Sequence, residues 1–301
     1  MSEPTSVVIL TGSTASGKTK LAIELAREFG AEIVGADSRQ VYRDMPIGTA
    51  APSPSQLREV RHHLIGFLDP HARYSAAQYA SDAIAALGDI RKRGKRAIVA
   101  GGTGFYIRAL IGGVALAPQY DGVLRDRLAR EATTHPPEFL HGWLEQRDAA
   151  RANALAPNDI YRVLRALEVA LASPGQPAPP RTLTSGGYAF LLVFLDLPWA
   201  VIDARIAHRI EQMLDNGLVE EADRIGERAV AATAVGYSQV HAYLRGFSTR
   251  SELRASLERA TRRYARRQRA WFRGERATLW LSPESVRDAV REKLGWSSKR
   301  A

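Results

Sequence analysis

The chain has 301 residues, of which 45% are apolar and 25% are charged, and its formal net charge at pH 7 is +10. It contains no cysteine, which excludes disulfide bonds and thiolate metal sites. No apolar stretch is long enough to span a bilayer, and the N-terminus lacks the basic start and apolar centre of a secretion signal. We therefore expect a cytoplasmic protein with no membrane partner.

The first motif is a phosphate-binding loop near the N-terminus. Residues 12–19, Gly-Ser-Thr-Ala-Ser-Gly-Lys-Thr, match the pattern G-x-x-x-x-G-K-[ST] at every fixed position. The apolar run Val7–Leu10 precedes the loop, and helical spacing of apolar residues follows it. In that context the backbone N–H groups and the helix dipole favour an anion, Lys18 adds a cation, and the Thr19 hydroxyl can hold Mg²⁺. The loop predicts a bound di- or triphosphate without specifying which.

Strand-like and helix-like segments alternate after this loop. Further strands are predicted at 31–36, 96–100 and 189–195, and a long helix at 76–93. Such alternation is typical of an α/β fold, here a P-loop NTPase-like parallel sheet flanked by helices. Charged helical stretches replace strands from Pro118 to Ala156, which we interpret as a helical insertion domain (118–156) in a core formed by 1–117 and 157–301. Asp159 is predicted to cap a helix over 160–172.

Asp37 is the acidic residue best placed for chemistry. In parallel sheets, ligands bind beyond the carboxyl ends of the strands, where Thr14, Asp37 and Thr103 all fall. Enzymes that hydrolyse ATP or transfer its phosphate usually carry a metal-binding acid at a strand end, but the strand at 96–100 runs into Gly-Gly-Thr-Gly. From the residues alone, Asp37 could serve a metal, accept a proton or merely form a turn.

Basic residues are concentrated at the C-terminal end. Residues 250–301 contain 15 Lys and Arg against 6 Asp and Glu. Five arginines, at 259, 262, 266, 269 and 273, recur every three to four residues and should line one helix face, with an apolar stripe beside them at 253, 257, 260, 264 and 271. We expect few acidic neighbours to pair with them, so we favour contact with nucleic-acid phosphates over a merely solvated face. His62 and His63 lack the partners of a metal site and are expected to be structural.

An ordered series of short segments resembles the tRNA dimethylallyltransferases over nearly the whole chain, from about Val7 to Trp280. The segments are 12–19, Asp-Ser-Arg-Gln at 37–40, Ile-Gly-Thr-Ala at 47–50, Gly-Gly-Thr-Gly-Phe-Tyr at 101–106, 158–169, Met-Leu at 213–214, Glu-Glu at 220–221 and Val-Gly-Tyr at 235–237. Each piece is weakly specific, whereas the ordered series is highly specific.

The resemblance implies transfer of a dimethylallyl group from dimethylallyl diphosphate to N6 of the adenosine at position 37, next to the anticodon, in tRNAs that read codons starting with U. The phosphate loop would then hold a leaving diphosphate with Mg²⁺, and Asp37 would be the general base. The expected partners are the tRNA anticodon stem-loop and the allylic donor, and we expect a monomer.

The resemblance also implies residue roles. The catalytic residues would be Asp37, Thr103 and Arg125, with Thr103 in a channel near both substrates. The diphosphate would contact Gly12, Ser13, Thr14, Ala15, Ser16, Gly17, Lys18 and Thr19, and Thr19 would hold the metal. The tRNA would contact Asp37, Ser38, Arg39, Gln40, Tyr161, Arg162, Val163, Leu164 and Arg165.

Three departures from the family pattern affect local contacts. Ser13 replaces a common proline, Ala51 replaces a usual lysine, and the connections near 173–187 and 226–234 are shorter than typical. The competing hypotheses are an adenylate isopentenyltransferase acting on free nucleotides, a small-molecule P-loop kinase, and a non-catalytic RNA-binding protein. The basic C-terminal helix disfavours a small acceptor, and intact Lys18, Thr19 and Asp37 disfavour loss of catalysis.

Overall fold

The computed structural model describes residues 6–113, 122–171, 181–275 and 277–298. The chain folds into two compact units, one formed by Met1–Val114 with Arg181–Ala301 and the other by Ala115–Pro180. The predicted turn at Pro118, most of the loop at 173–181, and Arg276 lie outside the described residues. None of the helices in the described ranges is long and apolar enough to cross a membrane.

The larger unit is built on a six-stranded sheet in the order β3-β2-β4-β1-β5-β6, with every pairing parallel. The strands are β1 (Ser6–Gly12), β2 (Ala31–Gly35), β3 (His62–His63), β4 (Arg96–Ala100), β5 (Ala189–Leu195) and β6 (Leu279–Leu281). The predicted α/β fold is therefore confirmed. The edge strands β3 and β6 were not predicted, because two or three residues are too short to show a strand periodicity.

Helices cover both faces of this sheet. They are α1 (Lys18–Phe29), α2 (Pro54–Glu59), α3 (Ala76–Lys92), α4 (Gly104–Ile111), α9 (Trp199–Asp215), α10 (Leu218–Ile225), α11 (Tyr237–Leu244), α12 (Arg250–Arg273) and α13 (Val286–Leu294), with short 3₁₀ turns at Val230–Thr233 and Pro283–Ser285.

The core lies on the two faces of the central strands. Val8 and Leu10 of β1 pack with α1 and α13, whereas Phe194 of β5 meets Phe272 of α12 with ring centroids 5.3 Å apart. Alternate residues of a strand point to opposite faces, so one apolar run supplies both cores. Because β1 lies between β4 and β5, the loop that follows β1 emerges at the middle of the sheet's carboxyl edge.

The smaller unit consists of α5 (Gly122–Thr134), α6 (Pro137–Arg147), α7 (Ala149–Asn153) and α8 (Ile160–Leu171). Asp159 accepts a hydrogen bond from the Arg162 amide (3.3 Å), as its predicted capping role requires. The apolar face of α8 packs against α5 and α6 through Val163 and Leu167. This packing places α8 in the helical unit, whereas the predicted boundary after Ala156 had assigned it to the core.

Candidate active site

The loop between β1 and α1 has the backbone shape of an anion-binding turn. Ala15 has φ of 64° and Gly17, the residue before α1, has φ of 89°. Glycine adopts such angles readily, but alanine does so only when its surroundings impose them, so the turn at Ala15 is held by its context. Lys18 begins α1, a helix of 12 residues whose N-terminal N–H groups and dipole favour negative charge.

A cavity of about 470 Å³ opens beside this loop. Five of the eight predicted diphosphate-binding residues line it: Thr14, Ala15, Gly17, Lys18 and Thr19. The other three, Gly12, Ser13 and Ser16, are buried and do not line the cavity. Asp37, Ser38, Arg39 and Gln40 line it as well, so the structure brings the two predicted substrate segments to one cavity.

Three cations surround the phosphate-binding loop. Lys18 Nζ donates to the Ser13 carbonyl (3.4 Å), Arg205 Nη1 to the Ser16 carbonyl (3.1 Å) and Arg209 Nη1 to the Thr14 hydroxyl (3.3 Å). Their hydrogen-bond partners in the described residues are neutral loop oxygens. Burial lowers the pKa of Lys18 to about 8; the charge of Asp37 opposes this shift and that of Arg209 adds to it. An anion bound here would relieve the repulsion among the cations.

The two arginines belong to α9 and were not predicted as site residues. Arg205 and Arg209 are four residues apart and therefore lie one above the other on the same face of the helix. Burial lowers the pKa of Arg209, and the neighbouring Arg205 lowers it further. The spacing of these arginines was visible in the sequence, but nothing in the sequence indicated that α9 lies against the phosphate loop.

Asp37 follows β2 and is the sole acidic residue among those that line the cavity in the described part of the chain. Its Oδ1 accepts a hydrogen bond from the Arg39 amide at 2.9 Å, which fixes the carboxylate. Both Asp37 and Lys18 line the cavity, and the charge of Asp37 raises the pKa of Lys18 against the effect of burial. The carboxylate is thus available to a ligand held by the loop.

Thr103 supports this segment from the loop after β4. Its hydroxyl accepts from the Ser38 amide (2.9 Å) and donates to the Ser38 hydroxyl (3.3 Å), and it makes no side-chain cap bond to α4. Thr103 does not line the cavity. The structure therefore gives it contacts that position Ser38, and the expected place in a channel near both substrates remains a prediction.

Helix α12 closes another side of the cavity. Gln268 accepts from the Thr14 amide (2.7 Å) and donates to the Gly102 carbonyl (3.0 Å), so it joins the loops after β1 and β4. The Thr14 N–H is consequently occupied by Gln268. Burial raises the pKa of Tyr264, and the charge of Asp37 raises it further, which keeps this phenol protonated beside the carboxylate. Neither residue was predicted to belong to the site.

The buried face of α12 differs from the predicted stripe. Leu253 and Leu257 are buried as expected, and the face continues through Thr261, Ala265, Gln268 and Phe272. Sequence periodicity missed this continuation because it includes two polar residues.

The remaining walls combine a backbone turn with apolar side chains. Gly48, Thr49, Ala50 and Ala51 form one wall, and Gln40 Nε2 donates to the carbonyls of Thr49 and Ala50 (3.1 Å each). The apolar side is formed by Ile210, Met213, Leu218, Val235 and Leu257. The cavity therefore offers cations, one carboxylate and an apolar surface, which suits a phosphorylated ligand with a small hydrocarbon group.

The Thr19 hydroxyl is suited to hold Mg²⁺ as one of a small number of protein ligands. Thr19 lines the cavity, and its hydroxyl has no hydrogen-bond partner within the described residues. No group of three or more His, Cys, Asp or Glu able to hold a metal occurs in those residues. Mg²⁺ usually keeps several waters and binds through phosphate oxygens with one or two protein oxygens, so this sparse set matches a metal carried by a diphosphate.

The other predicted residues lie in the helical unit. Arg125 and Arg165 both pair with the buried Glu168 (3.1 and 2.7 Å), and the Arg125 guanidinium lies 5.7 Å from the centre of the Tyr161 ring. Tyr161 is 64% exposed, and Arg162 is exposed and paired with Asp159 (3.4 Å).

Two predicted RNA contacts fall on the inner side of α8. Val163 is 0% exposed within the helical core, so its side chain is used for packing, and its predicted contact with tRNA stays a prediction. Leu164 is partly buried against the same core. The apolar face of an amphipathic helix is required for packing, which leaves Tyr161 and Arg162 as the outward-facing residues of the predicted segment.

The arginines of α12 fall into two groups. Arg262 pairs with Asp203 (3.2 Å) and Glu258 (3.0 Å), and Arg269 pairs with Asp196 (2.7 Å). The expectation that acidic partners are scarce is wrong for these two, because α9, the segment after β5 and α12 itself supply them. Arg250 and Arg254 at the start of the helix also pair with acidic residues, Arg250 with Asp215 and Arg254 with Glu211 and Glu258. The five remaining arginines are exposed: Arg259, Arg263, Arg266, Arg267 and Arg273.

Comparison with known proteins identifies the family of the chain. The family model described as IPP transferase matches residues 40–275. The chain is 41% identical to the tRNA dimethylallyltransferase of Anaeromyxobacter dehalogenans, over 96% of this chain and 98% of that protein, and 40% identical to that of Geobacter sulfurreducens, over 95% and 94%. The structure of a tRNA isopentenylpyrophosphate transferase from Bacillus halodurans, 32% identical, superposes with a TM-score of 0.70 over 97% of both chains. The chain belongs to the IPP transferase family.

Proposed function

We propose that the protein transfers a dimethylallyl group from dimethylallyl diphosphate to N6 of adenosine 37, next to the anticodon, in tRNAs that read codons starting with U. The observation that carries this proposal is one cavity lined by Lys18, Arg209 and Asp37, the sole acidic lining residue in the described part of the chain, together with apolar side chains of α9 and α12. Charged and apolar walls together match an allylic diphosphate, whose head is anionic and whose tail is a short hydrocarbon.

The reaction breaks the bond between C1 of the donor and its diphosphate oxygen and forms a bond from C1 to N6 of adenine. Negative charge accumulates on the departing diphosphate, where the N–H groups at the start of α1, Lys18 and Arg209 are already oriented. Mg²⁺, when bound at the Thr19 hydroxyl, would supply further charge neutralisation. A leaving group stabilised in this way makes C1 susceptible to a weak nucleophile.

Asp37 would take the proton that N6 loses as the new C–N bond forms. The Arg39 amide holds Oδ1, so the carboxylate keeps a fixed orientation while it acts as a general base. The nucleophile is the amine of the acceptor, so no water molecule has to be activated. That is consistent with β4 ending in glycines and not in the acid that phosphoryl-transfer enzymes use.

Adenosine would reach the cavity by leaving its stack, which costs a few kcal/mol and is easiest in a single-stranded loop. The exposed arginines of α12 are placed in the same unit as the cavity and would bind the phosphates of the RNA. Tyr161 and Arg162 of the helical unit are proposed as further contacts, and Arg125 as a support for Tyr161.

The test is to incubate the protein with Mg²⁺, a donor and an acceptor, and to analyse the acceptor by mass. The donors are dimethylallyl diphosphate and ATP, and the acceptors are unmodified tRNA and AMP. We expect a C5 group on tRNA adenosine with the allylic donor only. Transfer to AMP but not to tRNA would indicate an adenylate isopentenyltransferase, and phosphoryl transfer from ATP without prenylation would indicate a kinase.

A further inference from the structure

A buried carboxylate with no role in the chemistry lies next to the cavity. Glu221 of α10 is 0% exposed. Its Oε2 accepts from the Ile47 amide (2.8 Å), and its Oε1 accepts from the Gly48 amide (2.7 Å) and the Tyr237 hydroxyl (2.7 Å). All three partners are donors, so the site matches a charged carboxylate.

These bonds fix a turn that forms one wall of the cavity. The turn comprises residues 47–51, of which Gly48 to Ala51 line the cavity. Its N–H groups at Ile47 and Gly48 are held by Glu221, and its carbonyls at Thr49 and Ala50 are held by Gln40. Gly48 packs directly on Tyr237, since a Cβ at this position would lie 2.6 Å from the ring. The turn is therefore held from both sides, and its position depends on Glu221.

We infer that Glu221 is a positioning residue that sets the 47–51 turn, and through it Gln40, for the acceptor nucleotide. This inference rests on the proposed function. The turn is bonded to Gln40, which continues the segment that begins with Asp37, the proposed base for the acceptor amine. The residues around the phosphate loop bond to one another instead, as in the contacts of Thr14 with Arg209 and Gln268. Loss of Glu221 should therefore affect the acceptor more than the donor.

The substitution Glu221→Gln isolates the hydrogen-bonding role, since it nearly preserves volume. One oxygen becomes an NH₂ group, and whichever orientation the amide takes, that group faces the N–H of Ile47 or of Gly48. Two donors cannot bond, and a backbone N–H cannot rotate away as a hydroxyl can. The matched control Tyr237→Phe removes the third bond to the same carboxylate and leaves both backbone bonds intact.

The experiment measures KM for unmodified tRNA at saturating donor, and KM for dimethylallyl diphosphate at saturating tRNA. We expect Glu221→Gln to raise KM for tRNA by about tenfold or more, the scale of a lost charge-assisted hydrogen bond. KM for the donor should stay within about twofold, because the loop around Lys18 keeps its contacts. Tyr237→Phe should change both values far less than Glu221→Gln does.

A second readout is amide hydrogen exchange at residues 47–51 in the folded, ligand-free proteins, which should be faster in Glu221→Gln than in wild type. If that variant does not fold, Glu221→Asp draws the carboxylate back by about 1.5 Å and should give a smaller rise in the same KM. Equal effects on both substrates, or an unchanged KM for tRNA, would overturn the inference. Inactivity of the wild-type protein would instead overturn the proposed function.

Discussion

At the scale of single residues, the site separates the charges that a prenyl transfer needs. Lys18 and Arg209 bond to neutral oxygens of the phosphate loop, so their positive charge remains available to a diphosphate. Asp37 keeps one oxygen on the Arg39 amide and has its charge near Lys18. Because the cavity lies partly out of water, both charges act more strongly on a bound substrate than they would at the surface.

The substitution Asp37→Asn tests the proposed base. The new amide oxygen can still accept from the Arg39 amide, so the turn should persist, but the side chain can no longer take up a proton. We expect turnover to fall by about 10²- to 10⁴-fold, the usual contribution of a general base, with nearly unchanged affinity for dimethylallyl diphosphate. Single-turnover rates and donor binding isotherms give the two quantities. Activity within a few-fold of wild type would contradict the assignment.

At the scale of elements, the donor site depends on the packing of α9 against the loop after β1. Arg205 and Arg209 follow each other on one face of α9, and Met213, four residues further, lines the same cavity. One helix face thus presents two cations and then an apolar side chain. Successive members of this row are about 6 Å apart along the helix axis, because four residues rise by that distance. This order matches a diphosphate head followed by a five-carbon tail.

The substitution Arg209→Gln should weaken binding of inorganic pyrophosphate by about 10- to 100-fold, since a charged hydrogen bond to a phosphate is lost. The control Thr14→Val removes the loop partner of Arg209 and leaves its charge. Titration calorimetry with pyrophosphate and Mg²⁺ measures both. If Thr14→Val weakens binding as much as Arg209→Gln does, then the loss reflects the Thr14 hydroxyl and its bond to Arg209, and a separate contact of the Arg209 charge with the anion is contradicted.

Elements with strong local signals could be predicted from the sequence, and those that depend on tertiary contacts could not. The apolar runs of β1, β2, β4 and β5 identified most of the sheet and its carboxyl edge, and helical spacing over 76–93 identified α3. In the sequence, Gln268 is a single polar residue among arginines, and Glu221 is one of two adjacent glutamates. Their roles arise only because folding brings them to residues more than a hundred positions away.

A second element-scale feature joins the edge of the sheet to α3. Glu32 of β2 accepts from His63 Nε2 (2.7 Å) and from Arg93 Nη2 (2.7 Å) beyond the end of α3. Burial would raise the pKa of this carboxyl, but the hydrogen bonds from Arg93 and His63 lower it below its usual value of 4.5. A lowered pKa stabilises the folded state above the unfolded pKa, and that contribution is lost as pH falls through the folded value.

Glu32→Gln should therefore lower the free energy of unfolding at pH 7 by about 1–3 kcal/mol and remove part of the loss of stability below pH 4.5. Urea unfolding at several pH values between 3 and 7, roughly the range over which a carboxylate titrates, measures both effects. The exposed pair Arg27–Glu59 (3.5 Å) provides the control, because Glu59→Gln should change little. A variant whose stability falls as steeply as that of the wild type on acidification would contradict this role of Glu32.

At the scale of the whole molecule, the net charge of +10 is distributed unevenly. Ion pairs on the larger unit neutralise several arginines of its C-terminal part, including Arg287 and Arg291 on Glu28 (2.6 Å each). On α12, Arg262 and Arg269 are similarly paired, whereas Arg263 is exposed and forms no ion pair within the described residues. Net positive charge therefore persists on the exposed side of the helix whose opposite face bears Gln268.

The neighbours Arg262 and Arg263 allow the contribution of this charge to tRNA binding to be tested. If Arg263 contacts an RNA phosphate, Arg263→Ala should weaken binding at low salt and reduce the slope of log Kd against log salt concentration by about 1. Arg262→Ala removes the same charge at the adjacent position, but its partners Asp203 and Glu258 already neutralise it, so thermal stability should change more than the salt slope does. Filter binding of unmodified tRNA over a range of salt concentrations supplies the slopes. Equal slopes for both variants and the wild type would mean that this side of α12 does not bind the RNA. The helical unit with its exposed Tyr161 would then be the surface on which tRNA binding is tested.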